Sequence, residues 1–419
     1  MTTTVALIAA LDTKADDARF IRDRLREHGL QVHLIDVGVL DVPLLQPEIT
    51  REEVAAAAGT ELGALRRRHD RSAAVDAMGI GARRIVEELV AEQKIAGSFA
   101  LGGGAGTTIG STVMRDLPLG FPKAILSTVA SGNTANYVGT SDIVMFPSIV
   151  DIAGLNRIST MTYSQAADAF AGMVNGLSTR PKPTPLQDRP LVAASMFGVT
   201  TPTVMRAKRI LENAGCEVVV FHATGAGGRA MERLIAEGYF DAVLDITTTE
   251  WSDEVVGGIL SAGPTRLESA ALHGVPQVVS LGATDMVNFG APDTIPDGFS
   301  NRLLYHHNAE NTLMRVTSNE ARQIGEAIGR KLSLATGPCT LLIPLRGTSA
   351  LDGDGEPFNC PEARRDLFDA VKSSLTDSAV AVVEIDQHIN DEAFANSAAR
   401  LLLDYLNHVP HTAQASTHV

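Results

Sequence analysis

Aromatic side chains make up only 5% of this 419-residue chain, and cysteine occurs three times. So few aromatics speak against a surface built mainly to grip a protein partner. Cys216, Cys339 and Cys360 are odd in number, far apart and without a CxxC pair. Reduced thiols in a cytoplasmic protein fit this better than a disulfide framework or a thiolate metal site. Long apolar runs are missing too, so no membrane span is expected. The start, Met1-Thr-Thr-Thr-Val-Ala-Leu-Ile, has no charged leader and runs directly into a strand-like segment, so no signal peptide is expected. Positive charge is in deficit: 35 Lys and Arg stand against 49 Asp and Glu, a net charge of −14. Broad attraction to nucleic acid or an anionic membrane is thereby disfavoured, while a local phosphate site remains open.

Several compact motifs are also lacking. No HExxH or similar metal spacing occurs, and Gly347-Thr-Ser349-Ala-Leu351 fails the G-x-S-x-G elbow of serine hydrolases. What is present is an α/β pattern of short β-branched runs alternating with amphipathic helical stretches, as parallel sheets with crossover helices require. Prolines 181, 183, 185 and 190 mark a semi-rigid connector. The expected organisation is a domain over 1–180, a linker over 181–190, a second domain over 191–407 and a frayed tail over 408–419.

The two halves repeat one another. Val5-Ala-Leu-Ile, a polar loop, a helix, His28-Gly29 and Val32 to Asp36 parallel Leu191-Val-Ala-Ala, a Thr-rich loop, a helix, Ala214-Gly215 and Glu217 to Phe221. Met78-Gly-Ile-Gly-Ala-Arg83 parallels Thr224-Gly-Ala-Gly-Gly-Arg229, and Gly120-Phe-Pro-Lys-Ala-Ile125 parallels Gly274-Val-Pro-Gln-Val-Val279. Two homologous Rossmann-like domains are expected, facing one another across a cleft. Ligands of such sheets bind beyond the carboxyl ends of the strands, so the loops there are the places to search.

In the first half, Ser98-Phe-Ala-Leu leads into Gly102, Gly103, Gly104, Ala105, Gly106, Thr107 and Thr108. Bare glycine amides and a following helix start suit a phosphate; a tight structural turn is the alternative. The run lacks the Gly-Lys-Ser/Thr ending of a P-loop and the G-x-G-x-x-G spacing. Leu11, Asp12, Thr13 and Lys14 form another such loop. Asp12 suits Mg²⁺ or a hydroxyl, or else caps the next helix, and Lys14 suits a phosphate. Ser131, Gly132, Asn133 and Thr134 offer a small hydroxyl-rich turn. Gly79 falls in a second glycine loop, and Asp36 ends a strand where such folds place an acid on a ribose.

The second half carries different chemistry. His222, Asp245, Glu250, Asp285, His306 and His307 fall at expected strand ends or loops, where they can converge on a substrate or metal. Arg229 and Glu232 follow the glycine loop, and Arg346 precedes Gly347; either arginine suits a carboxylate or phosphate. The run Ala379 to Ile385 is expected as a last buried strand, and Phe394 to Leu406 as a closing helix.

On these residues the chain resembles the Tm-1-like ATP-binding family, an uncharacterised family of bacteria, fungi and plants. The matching blocks are Leu11-Asp-Thr-Lys14, Gly102 to Thr108, Ser127 to Asn133 with Tyr137-Val-Gly139, Asp151-Ile-Ala-Gly-Leu-Asn156, Phe221 to Glu232, Asp245-Ile-Thr-Thr-Thr-Glu250 and His307-Asn308. The resemblance implies two Rossmann-like domains, ATP binding and a homodimer or higher homo-oligomer. Two blocks depart from the pattern: Ser131-Gly-Asn133 replaces the common Ser-Gly-Asp, and Phe358-Asn-Cys-Pro361 replaces Phe-Tyr-Asp-Pro. The expectation for function is an ATP- and Mg²⁺-dependent enzyme acting on a small carboxylate-bearing metabolite. Its rivals are a non-catalytic, ATP-liganded protein-binding module and a metal-assisted lyase or hydrolase with nucleotide as effector.

Overall fold

The computed structural model describes residues 3–177, 179 and 189–408. The expected linker lies outside the described residues except for Arg189 and Pro190, and so does the expected tail beyond His408. The chain divides into two compact units, one on either side of the proline-rich segment.

Unit 1 runs β1 (Thr4–Ala9), α1 (Ala15–Glu27), β2 (Gln31–Asp36), α2 (Arg51–Ala57), α3 (Leu62–Arg68), α4 (Arg71–Ala91), β3 (Ser98–Gly102), α5 (Gly104–Met114), β4 (Lys123–Ser127), α6 (Ala135–Val138), β5 (Val144–Pro147) and α7 (Arg157–Leu177). Its five strands are parallel, in the order β2-β1-β3-β4-β5. Strand β1 shows why both faces must be covered. Val5, Leu7 and Ala9 enter a core with α1 and α7, while Ala6 and Ile8 enter another with α2 to α5. A strand buried on both sides is a continuous apolar run, as the sequence has it.

Unit 2 runs β6 (Leu191–Met196), α8 (Thr201–Asn213), β7 (Glu217–His222), α9 (Ala226–Ala236), β8 (Ala242–Thr247), α10 (Glu250–Val256), α11 (Glu268–Leu272), β9 (Gln277–Gly282), β10 (Met286–Phe289), β11 (Leu304–Asn308), β12 (Asn311–Arg315), α12 (Ser318–Leu332), β13 (Cys339–Pro344), α13 (Pro361–Ser374), β14 (Ala381–Ile385) and α14 (Glu392–His408). Its main sheet is parallel with order β14-β13-β9-β8-β6-β7. Counted within the unit, this is 2-1-3-4-5-6, the order of unit 1 plus one strand. An antiparallel sheet, β10-β12-β11, is inserted between β9 and α12.

The fold is therefore two Rossmann-like α/β domains. The repeat stations at β1/β6 and β4/β9 correspond in the structure. Gly120 and Gly274, with φ of 80° and 68°, turn the chain into the fourth strand of each unit. The middle station does not correspond: Met78 to Arg83 lies inside α4, whereas Thr224 to Arg229 is a turn that opens α9. β14 is an edge strand with exposed and half-buried residues, not the buried strand expected.

Candidate functional site

In the strand order 2-1-3, connections from the first and third strands leave toward opposite faces and open a crevice at the carboxyl end. Unit 1 places this switch point between β1 and β3, whose pairing sets Ile8 beside Ala100. Loop 10–14 thereby lies next to Gly102, Gly103 and Gly104, and loop 128–134 follows on the other side of β3.

Helix α5 starts on Gly103 with no side chain capping it. A Cβ on Gly104 would meet nothing within 4 Å, and Gly104 is exposed. Gly102 and Gly106 are small for a different reason. A Cβ on Gly102 would lie 2.9 Å from the Gly106 Cα, and one on Gly106 would lie 2.9 Å from the Leu101 carbonyl. Two glycines thus close the turn while Gly104 leaves the space before the helix empty. Ala105 is half-buried in the same turn. Thr107 is corrected from ligand to scaffold: it is buried, with its hydroxyl on the Gly103 carbonyl at 2.8 Å and the Ser127 hydroxyl at 2.6 Å. Thr108 donates back to the Gly104 carbonyl at 3.0 Å.

Lys14, not Asp12, occupies the cap position of α1, and no ion pair engages Lys14 among the described residues. Asp12 accepts from the Leu40 amide at 2.8 Å and packs where a Cβ on Gly38 would otherwise sit. Thr13 is exposed beside them. Asp36 is fully buried, so the expected contact with a ribose is corrected. Its Oδ1 accepts from the amides of Leu11 and Gly38 at 3.0 and 2.8 Å, tying β2 to the loop after β1. Burial pushes its carboxyl above the usual range. Ser131, Gly132 and Asn133 are exposed; Asn133 accepts from the Ala135 amide at 3.1 Å, and Thr134 precedes the four-residue α6. Gly79 is also corrected. It lies within α4 against Thr112 of α5, with no part in the strand-end crevice.

Unit 2 fills the equivalent region with its own side chains. The loop after its third strand, β8, is Thr248 and Thr249, both buried, followed by buried Glu250. Arg266, which sequence reasoning missed, is a fully buried hub. It donates to both Asp245 oxygens at 2.5 and 2.8 Å, to Glu250 Oε2 at 2.7 Å and to Glu232 Oε1 at 3.1 Å. Ser195 donates to Asp245 at 2.6 Å, and Glu232 accepts from the amides of Leu267 and Ser269 at 2.7 and 2.8 Å. Glu250 Oε1 accepts from the amides of Gly225 and Gly228 at 2.7 and 3.0 Å, so a carboxylate of the chain occupies the start of α9. A Cβ on Gly228 would lie 2.1 Å from that carboxylate. Burial raises the Glu250 carboxyl while Arg266 pulls it down. Glu232, Asp245 and Glu250 therefore converge on an arginine and not on an open substrate site.

Asp285 belongs to a second buried cluster, at the ends of β9 and β13. It accepts from Thr348 at 3.1 Å and Ser349 at 2.9 Å. The Thr348 hydroxyl also lies 3.0 Å from Asp352, which Arg364 holds at 2.8 Å and Arg315 approaches at 3.6 Å. One hydroxyl proton thus faces two carboxyl groups. Burial, then the charge of Asp352, pushes Asp285 up to about 6.

The remaining candidates do not join these clusters. His222 is exposed at the end of β7, its ring 5.5 Å from Phe197. Arg229 is exposed on α9 and donates to the Ser261 carbonyl at 2.8 Å. His306 and His307, expected at a strand end or loop, lie exposed near the end of β11 in the antiparallel sheet. Arg346 is paired with Asp386 at 2.8 and 2.9 Å on the surface. Among the described residues, no group of three His, Cys, Asp or Glu is placed to hold a metal ion. No helix among them is long and apolar enough to cross a membrane.

Both units match family models. The N-terminal domain of the uncharacterised protein family UPF0261 matches residues 3–179, and the C-terminal domain matches residues 189–406. A UPF0261 protein of Clostridium tetani is 48% identical over 402 residues, covering 96% of this chain and 98% of that protein. The ToMV susceptible protein tm-1(GCR26) of Solanum lycopersicum is 38% identical over an alignment of 417 positions, covering 96% of this chain and 55% of the tomato protein. A solved structure of Acinetobacter baumannii MurG aligns over 96% of this chain and 99% of its own at 12% identity, with a TM-score of 0.21, a level that says nothing about chemistry.

Proposed function

The chain belongs to the UPF0261 family over both of its units, and from that premise we propose that unit 1 binds ATP by its phosphates in an ATP-dependent enzyme for a small carboxylate-bearing metabolite. The observation that carries the reading is the uncapped start of α5, where Gly104 leaves room before the helix. Free amides and the helix dipole there attract an anion. Lys14, on the neighbouring loop and without an ion pair among the described residues, adds a positive charge at the same crevice. Mg²⁺ would arrive on the triphosphate as part of the substrate, because the described residues offer no cage for it. In unit 2, Arg229 and His222 are exposed near the carboxyl end of one strand and suit a metabolite carboxylate and a proton transfer.

The test is calorimetry of the full chain with Mg-ATP, followed by an ATP-turnover assay over a panel of carboxylate metabolites. Binding that is lost in Gly104→Asp, with ADP or AMP formed with at least one metabolite, supports the reading. No heat with Mg-ATP ends it.

One observation favours a second reading, a non-catalytic module ordered by ATP. Glu232, Asp245 and Glu250 are committed to Arg266 and are not available for proton transfer. Mg-ATP binding without turnover on the panel, together with ATP-dependent capture of a protein partner, would decide for it.

A further inference from the structure

The loop after β2 presents large apolar side chains to solvent at every second position. Leu40, Val42 and Leu44 are 68%, 74% and 72% exposed. Isolated exposed apolar residues are ordinary, but three on one short, tethered segment form a patch. The tethers are specific. The Leu40 amide donates to Asp12 at 2.8 Å, the Leu44 amide to the Leu11 carbonyl at 3.1 Å, and Arg19 to the Leu44 carbonyl at 3.5 Å. Arg66 and Arg51 donate to the carbonyls of Val39 and Asp41. The patch is thus anchored to Leu11 and Asp12, the loop that forms one wall of the unit 1 switch point.

We infer that Leu40, Val42 and Leu44 hold the base of the nucleotide whose phosphates lie at Gly103 to Gly106, with Asp12 set for a ribose hydroxyl between them. This rests on the phosphate site proposed above and adds what selects the ligand there. The strand order β2-β1-β3 sets the loops that carry the patch, Asp12 and the glycines side by side, in that order. The strands that lead into the patch and into the glycines, β2 and β3, are two strand spacings, about 10 Å, apart, and that suits the reach from a purine to a phosphate chain. A site of this kind needs apolar surface for the base and few polar groups for orientation. Asp12 spends Oδ2 on Leu40, while Oδ1 has no hydrogen-bond partner among the described residues. Asp36, the acid in the position expected for the ribose, is walled off by burial, so the role passes to Asp12.

The experiment titrates Mg-ATP into the full-length protein, its Leu40→Ser/Val42→Ser/Leu44→Ser variant and Gly104→Asp. The expected result is at least about a ten-fold loss of affinity in the triple variant, with an unchanged melting temperature, and no binding by Gly104→Asp. Should the triple variant fold poorly, Val42→Ser alone gives the same direction with a smaller loss. Equal affinity of wild type and the serine variants, with Gly104→Asp inactive, overturns the base site and leaves the phosphate site standing. Equal affinity with a shift of the triple variant to a smaller oligomer assigns the patch to a second copy of the chain, and also overturns the inference. Absence of Mg-ATP binding by the wild type removes the phosphate site and the base site with it.

Discussion

Units 1 and 2 share a strand order and differ at the start of one helix each. In unit 1, α5 opens on Gly103 and Gly104 with no side chain before it. In unit 2, the glycines that open α9 are covered by Glu250, and Glu250 is in turn held by Arg266. Glycine tracts that look alike as sequence thus do opposite things. One leaves open space before its helix, and the other makes space for a carboxylate of the chain itself. The second arrangement ties α9, β8, α10 and the segment before α11 together through a single guanidinium.

The largest expected effect comes from breaking that tie. Arg266→Met leaves the buried carboxylates of Asp245 and Glu250 and the half-buried Glu232 without their cation, and should destabilise unit 2 by about 3–5 kcal/mol in urea titration. A loss no greater than that of a surface substitution would mean that the cluster is not what holds unit 2 closed. Paired alanine substitutions sharpen the contrast. Gly228→Ala drives a methyl into the Glu250 carboxylate and should cost about 1–3 kcal/mol. Gly104→Ala meets open space and should leave stability within about 0.5 kcal/mol while weakening Mg-ATP. Equal stability costs at both positions would erase the distinction between the helix starts.

A smaller, pH-dependent effect is expected at Asp285. Its carboxyl is raised to about 6 in the folded protein, so the folded state keeps a proton that the unfolded chain releases near pH 4. Stability therefore falls as pH rises from about 4 to 6, and the cost is fully present above that window. Asp285→Asn has no such proton to lose. Its stability relative to wild type should rise across that window in urea titrations at pH 4.5, 5.5 and 6.5. A constant difference would show that Asp285 titrates as an ordinary carboxyl.

Much of the architecture was legible because doubly covered strands are continuous apolar runs and crossover helices are periodic. Val5 to Ala9 and Leu191 to Met196 show this directly. Gly79 was misplaced because Met78-Gly-Ile-Gly81 looks like a turn. The helix needs a glycine at 81 for packing, since a Cβ there would lie 1.9 Å from the Val54 carbonyl. Asp36 and Asp12 are the same residue type near strand ends, and only the structure shows that Asp36 is fully buried while Asp12 is half-buried with one carboxylate oxygen unpaired among the described residues. Arg266 gave no signal, for its partners lie 16 to 34 positions away and share no period with it. His306 and His307 do lie near a strand end, but the antiparallel insertion that carries them, which interrupts the βα alternation between β9 and β13, gave no signal of its own.

The contrast between the helix starts can be read amide by amide. Nitrogen-15 NMR of the full chain during Mg-ATP titration should shift the amide resonances of Gly103, Gly104 and Gly106 and leave those of Gly225 and Gly228 in place. Shifts at Gly225 and Gly228 with none at Gly103 to Gly106 would contradict the account.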